Sequence, residues 1–530
     1  MTTARRTFLT GLAGTGASVL ALAACSGGNS AGGGKAGGAG STLVIDCAFS
    51  IETGDPGNTY DPTGNTVAKA IYEPLVDYEG ADVATPVPGL ASWEQNDAAT
   101  EFTFTLEKDR TFSSGNPVRA DDVVFTMKRV IGMADAKPNF LLTGISVEKV
   151  DDATVRFTTE SPMLQLPAIL ANPALGIVDS KVVQDNGGSI EPGKDTAQKW
   201  FETHSAGSGP YTLEKLDLTS QIVLAKNEKY TGKKKPSFDK VVIRNVTESA
   251  TQALNLKGGD TMIALDLNAD QAAGLGDTFT VDAVPSGQTI FLLLNQSTDV
   301  AKDLANVKIA EAVRYGLDYD ALLELGGKGS VQATGVIPVG FEGALEKGVT
   351  PDAARAKKAL GESGYSGQPL KLQYPNDYPV GGVEFTPLAE RIQSQLEAIG
   401  LKVELAPAPF ATELDAYVGG KEAFGLWFWG PDYADSTNFL PFAPGGKVGL
   451  RAGWEEKADP EIAKLAKDTA AASDPGQRAK DLTEFATALQ DAGPFVPLIV
   501  PGRAIATAKD ITGAAYSPLW DINIADVKPA

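Results

Sequence analysis

Glu101-Phe102-Thr103-Phe104-Thr105-Leu106, then Ser113-Ser114-Gly115-Asn116-Pro117, then Ala120-Asp121-Asp122-Val123-Val124-Phe125 spell a strand, a turn and a helix in succession. Phe102, Phe104 and Leu106 alternate with polar residues at the period of two that a half-buried strand requires. The Ser-Ser-Gly-Asn-Pro run turns the chain. Asp121 and Asp122 then sit at the helix end where the dipole favours negative charge, and Val123, Val124, Met127 and Val130 form an apolar face. The same mixture continues outward. Thr154-Val155-Arg156-Phe157-Thr158 is a second alternating strand, Leu43-Val44-Ile45, Val241-Val242-Ile243 and Phe291-Leu292-Leu293-Leu294 are apolar strand runs, and helices are expected around 310–317 and 388–399. Strands and helices interleaved in this way predict an α/β or mixed α+β body. With 530 residues and 43% hydrophobic content, a large core is available, enough for roughly two to four domains.

Ahead of that body, Arg5-Arg6 precede an apolar stretch from Phe8 to Ala24 that Gly11, Gly14 and Gly16 interrupt. Positive charge, a short greasy segment and then small residues make a secretion signal, residues 1–24. It falls short of the ~20 uninterrupted apolar residues of a spanning helix. Leu22-Ala23-Ala24-Cys25 resembles the bacterial lipobox, whose cysteine is acylated and becomes the first residue of the mature chain. Arg5-Arg6-Thr7-Phe8-Leu9 resembles a twin-arginine signal, which leaves the general secretory route and the twin-arginine route both open. Residues 25–41 then form a lipid-anchored tether whose Gly, Ala and Ser content gives an r.m.s. reach of roughly 20 Å. The expected location is extracytoplasmic, held to the cell membrane by the lipid alone.

Charge and composition exclude several functions. The 67 acidic and 46 basic residues give a net charge of −21, which opposes capture of nucleic acid or anionic lipid. If Cys25 carries lipid, Cys47 has no partner for a disulfide, since the chain has two cysteines. His204 is the single histidine, too few for a zinc set. Ser237-Phe238-Asp239-Lys240 fits the S-x-x-K spacing of penicillin-interacting enzymes, but no S-D-N or K-T-G follows. Asp266, Asn268, Asp270 and Asp277 imitate part of a calcium loop, yet Gln271 stands where a glycine must turn the chain and Asp277 where a bidentate Glu is needed. A solvated helix start accounts for them better. No Walker A motif occurs, so any ATPase must be a separate protein. No cofactor is expected, and the chain is read as a non-enzyme.

A set of ordered motifs resembles the peptide-type solute-binding proteins of ABC importers, family 5. They are Ile71-Tyr72-Glu73-Pro74-Leu75-Val76; Pro88-Gly89-Leu90-Ala91 with Trp93; Phe112 and Ser114-Gly115 followed by Ala120 to Phe125; Gly207-Ser208-Gly209-Pro210-Tyr211; and Asn306-Val307 with Ala310, Val313-Arg314-Tyr315 and Leu317-Asp318. They span essentially the whole mature chain. The resemblance implies a two-lobed, periplasmic-binding-protein-like fold with a discontinuous first domain (42–80, 201–288 and 496–530), an inserted domain (81–200) and a second lobe (289–495). Gly209-Pro210 and Gly493-Pro494 lie near two of these junctions, as ordinary turns or as hinges.

The segment Phe428-Trp429-Gly430-Pro431-Asp432-Tyr433-Ala434-Asp435 resembles the family's W-x-x-D element, whose acid binds the free α-ammonium of a peptide. On that resemblance Asp432 receives the ammonium, with Asp435 in the same loop the second choice; Trp429 lines the cleft, and the backbone of Phe428 and Gly430 pairs with an extended peptide. Pattern alone favours a buried strand at Trp427-Phe428-Trp429 with Asp432 and Asp435 in a solvated turn; only the resemblance reverses that preference. The implied function is a monomeric receptor that captures short peptides and delivers them to an ABC permease driven by a separate ATPase. The alternatives are another solute, an oligosaccharide or a nickel chelate, or an exported peptidase or penicillin-interacting enzyme.

Overall fold

The strand expected at 291–294 runs from Thr289 to Leu294 and is buried throughout, because it lies inside a sheet covered on both faces. Its neighbours in the computed structural model, which describes residues 41–80, 82–133 and 136–530, are Phe495–Val500 on one side and Phe424–Trp429 on the other, both antiparallel. Val331–Gln332, Leu370–Pro375 and Val403–Ala408 complete a six-stranded sheet. The secretion signal, Cys25 and the tether through Gly40 lie outside the described residues.

Successive side chains leave a strand on opposite faces. Ile290, Leu292 and Leu294 therefore join Phe424 and Leu426 in one core, while Phe291 and Leu293 join Trp427 and Phe495 in another. A strand buried on both sides loses its polar alternation, which is why it reads as an unbroken apolar run. The first core is closed by helices Phe385–Ala398, through Leu388, Ala389, Ile392 and Leu396, and Val307–Gly316. In the latter, buried Arg314 donates to the carbonyls of Gly493 at 2.6 Å and Phe495 at 3.3 Å, fixing the entry of the strand Phe495–Val500. Burial lowers the pKa of this guanidinium because charge is costly away from water.

A seven-stranded sheet is assembled from distant pieces, in the order Phe279–Pro285, Gly502–Ala508, Ile263–Ala264, Thr42–Cys47, Lys240–Asn245, Gln221–Lys226 and Tyr211–Asp217. A four-stranded antiparallel sheet, Ala91–Gln95, Glu101–Leu106, Thr154–Thr159 and Ile145–Lys149, sits in the same lobe. Its alternation is as expected, Phe102, Phe104 and Leu106 buried and Glu101 and Thr105 exposed. Helix Ala120–Gly132 begins where Asp122 accepts from the Arg119 amide at 2.8 Å. On its inner face Arg129 forms forked bonds to Asp55 (2.8 and 2.5 Å) and to Asp195 (2.6 and 2.9 Å), clamping three chain segments together.

The chain passes between the lobes twice, from Pro285 to Thr289 and across Pro501 to Gly502. The passages are adjacent, the Ser286 amide donating to the Pro501 carbonyl at 2.9 Å. Gly209-Pro210 instead leads into Tyr211–Asp217, where a Cβ on Gly209 would come 2.6 Å from the Ile71 backbone. Gly493-Pro494 leads into Phe495–Val500. Among the described residues no helix is long and apolar enough to cross a membrane.

Candidate functional site

A cavity of about 420 Å³ opens where the two passages bring the lobes face to face. From the first lobe it is lined by Tyr60, Asp61, Asn65, Asn172, Arg503, Trp520 and Asp521; from the second by Gln288, Tyr378, Phe428, Gly430 and Asp432. Its size falls within the range of small-molecule sites.

Asp432 lies just beyond the strand Phe424–Trp429 and is held from both lobes. Its amide donates to Asn438 Oδ1 at 3.1 Å within its own lobe. From the opposite lobe, the Tyr60 hydroxyl donates to Asp432 Oδ1, and Asn172 Nδ2 donates to the Asp432 carbonyl at 2.9 Å. Tyr433 and Ala434 pack against the core that holds Leu519 and Trp520. Burial raises the Asp432 pKa, opposed by the Tyr60 hydrogen bond and by the charge of Lys447. Burial likewise pushes the Tyr60 phenol far up, so it stays a donor.

Other groups arrive from unrelated parts of the chain. Asp61 caps the helix Pro62–Ile71, accepting from the Gly64 amide at 2.7 Å, and burial lifts its carboxyl to about 6. Arg503, opposite Val284 in the seven-stranded sheet, is the one cationic residue among those lining the cavity. Tyr378 stacks on Phe428 at 5.7 Å and on Phe410 at 4.4 Å.

Of the residues expected at the site, the structure brings Asp432, Phe428 and Gly430 to the cavity. A Cβ on Gly430 would stand 3.1 Å from Gln288 Cγ, so glycine keeps that wall open. Trp429 is corrected: strand parity puts it on the face of Trp427, where it packs edge-on to Phe442 at 5.7 Å, away from the cavity. Asp435 is corrected as well, for its carboxylate accepts from the Thr437 amide at 2.9 Å and pairs with Arg478 at 2.9 Å inside the second lobe. Tyr60, Asn172, Arg503 and Asp521 were missed. Asp61-Pro62 is a legible helix start that places Tyr60 just ahead of a helix end; the other three carry no local signal.

The sequences weighed for catalysis or metal have structural uses. Lys240 donates to Glu214 at 2.8 Å, Asn268 caps the short helix Ala269–Ala273, Asp266 pairs with Arg503, and His204 stacks on Trp200. Among the described residues no group of three His, Cys, Asp or Glu side chains is placed to hold a metal ion.

The family model described as bacterial extracellular solute-binding proteins, family 5 Middle, matches residues 85–448. The chain is 28% identical over 490 residues to the probable D,D-dipeptide-binding periplasmic protein DdpA of Escherichia coli K12, covering 90% of this chain and 92% of that protein. It is 25% identical over 497 residues, with the same coverage, to the glutathione-binding protein GsiB of Salmonella choleraesuis. The fold matches the crystal structure of the ABC transporter substrate binding protein CtaP of Listeria monocytogenes with a TM-score of 0.81 at 18% identity, covering 92% of this chain and 99% of that one. The expected mixed α/β, periplasmic-binding-protein fold is thus the one observed.

Proposed function

This chain belongs to the bacterial extracellular solute-binding proteins of family 5, and from that membership we propose that it captures short peptides between its lobes and hands them to an ABC permease. The family is one of binding proteins, not enzymes, which sets aside the peptidase and penicillin-interacting alternatives. Within it, ligands differ: one relative is named for a D,D-dipeptide and another for glutathione. The observation that carries the peptide reading is the half-buried carboxylate of Asp432 at the wall of a cavity lined from both lobes. Such a carboxylate is stabilised by a cationic partner that brings its own hydrogen bonds, and the α-ammonium is the cationic group every unmodified peptide offers. Phe428 and Gly430 border the same cavity and offer backbone for an extended ligand.

Asp432→Ala should weaken binding of free peptides far more than of their N-acetylated forms, measured by calorimetry; equal losses would remove the assigned role. Incubated peptide should be recovered intact. Native mass spectrometry of protein from its own cells should show a co-purified peptide, and a sugar or chelate in its place would overturn the peptide assignment.

The anchor and domain plan belong to the same proposal. Acylation of Cys25 would keep the receptor near its permease at high effective concentration; Cys25→Ala should release it into the medium or periplasm. The seven-, four- and six-stranded sheets support a division into 42–80 with 201–288 and the C-terminal part, 81–200, and a second lobe from 289, with the return passage at Pro501 because Phe495–Val500 pairs in the six-stranded sheet.

A further inference from the structure

The cavity carries more negative than positive charge, and its positive charge is already engaged. Asp61, Asp432 and Asp521 reach the wall, against Arg503 alone among the described residues. Arg503 Nη2 lies 3.0 Å from Asp266 Oδ1 and 3.5 Å from Asp521 Oδ2, so two carboxylates answer the guanidinium before a ligand enters. Two further cations act from outside the wall: Lys447 on Asp432, and Lys137 on Asp61, where its ion-pair partner Glu52 opposes it.

Carboxylates crowded into a confined space are costly unless compensated. Burial holds all three wall carboxyls above their usual range. The uncharged wall points the same way: Asn65 Oδ1, a pure acceptor on a lining residue, has no donor among the described residues. One α-ammonium at Asp432 compensates a single carboxylate. A zwitterionic peptide then brings another carboxylate in, and among the described residues no free cation lines the wall to meet it.

Resting on the peptide reading above, we propose that the site selects peptides of net positive charge, those with a basic side chain or an amidated carboxy terminus, over zwitterionic and acidic peptides of equal size. Asp61 and Asp521 face the added charge, while Asp432 takes the amino terminus.

The test is calorimetry at neutral pH and low salt with four tripeptides: Ala-Lys-Ala, Ala-Ala-Ala, Ala-Ala-Ala amide and Ala-Glu-Ala. One extra charge within a partly desolvated cavity changes affinity by about tenfold at separations near 10 Å. The lysine and amide peptides should bind about tenfold tighter than Ala-Ala-Ala, and the glutamate peptide about tenfold weaker. Equal affinities overturn the charge selection and leave the peptide reading standing; no binding by any of the four overturns both. Asp61→Asn keeps an acceptor for the helix cap and should narrow the gap between the lysine and neutral peptides. An undiminished gap in both Asp61→Asn and Asp521→Asn would overturn the assignment to these carboxylates.

Discussion

Glu422 gives a stability prediction that can be worked through to a number. It is 1% exposed, at the entrance to the strand Phe424–Trp429 that ends at the cavity. Trp427 Nε1 donates to its Oε2 at 2.6 Å, but its Oε1 has no donor among the described residues, and the neighbouring acid is Glu413, itself buried and accepting from Gln373 at 3.2 Å. The arrangement is satisfied when Glu422 carries a proton and donates it to Glu413. Burial chiefly, and Glu413 in addition, push the Glu422 carboxyl up to about 9. The folded chain therefore holds a proton that the unfolded chain releases above the ordinary glutamate range. The contribution is fully present below about pH 4.5 and is lost as pH rises toward 9, at about 1.4 kcal/mol per pH unit. From pH 4.5 to 7 this group alone removes about 3 kcal/mol. Glu422→Gln keeps an acceptor for Trp427 and a donor for Glu413 without the titration. Urea melts from pH 5 to 8 should show the variant gaining on the wild type as pH rises, reaching about 3 kcal/mol near neutrality. Parallel pH profiles for the two proteins would refute the shared-proton account.

Removing Arg129 leaves Asp55 and Asp195 buried without their partner, so Arg129→Ala should cost about 3–5 kcal/mol, read as a lowered urea midpoint. Gly430→Val would press on Gln288 across the cavity wall, and we predict about tenfold weaker peptide binding by calorimetry, with a thermal midpoint close to wild type. Affinity for cationic peptides should fall as pH is lowered from 7 to 5, because Asp61, at about 6, loses its charge; a flat profile would remove Asp61 from recognition.

Elements whose burial is written locally were legible. Phe102, Phe104 and Leu106 announce one buried face, and an unbroken apolar run such as Phe291 to Leu294 announces two; the observed strands Glu101–Leu106 and Thr289–Leu294 follow. Asp432, which lines the cavity, is nominated by a motif whose neighbours are local. Trp429 was misplaced although strand parity gives the answer: once Trp427 is committed to one core, Trp429 shares its face. Asp435 was ambiguous because its partner, Arg478, lies on the later helix Pro475–Ala492 and is brought near only by packing. Asn172, Arg503 and Asp521 carry no local signal for the same reason. Arg503 reaches the cavity because the seven-stranded sheet gathers strands from both ends of the chain, and no window of sequence contains that topology.

In the peptide reading proposed above, the position of Asp432 ties ligand recognition to closure. Its carboxylate accepts from Tyr60 and its carbonyl from Asn172, both in the opposite lobe. A hydrogen bond to a charged acceptor contributes about 1.5–3 kcal/mol and a neutral one about 1, so the two favour the closed arrangement by a few kcal/mol at most. Lobe ordering and desolvation of the wall carboxylates oppose it. A ligand can shift the balance only by binding the closed form better than the open one, and a cation meeting Asp432 meets Tyr60 and Asn172 as well only when the lobes are together. Tyr60→Phe removes one lobe-to-lobe bond and exposes the coupling. It should weaken every peptide by a similar factor, whereas Asp61→Asn should weaken the cationic ones selectively. If Tyr60→Phe instead discriminated by ligand charge, the phenol would belong to recognition and the closure account would fail.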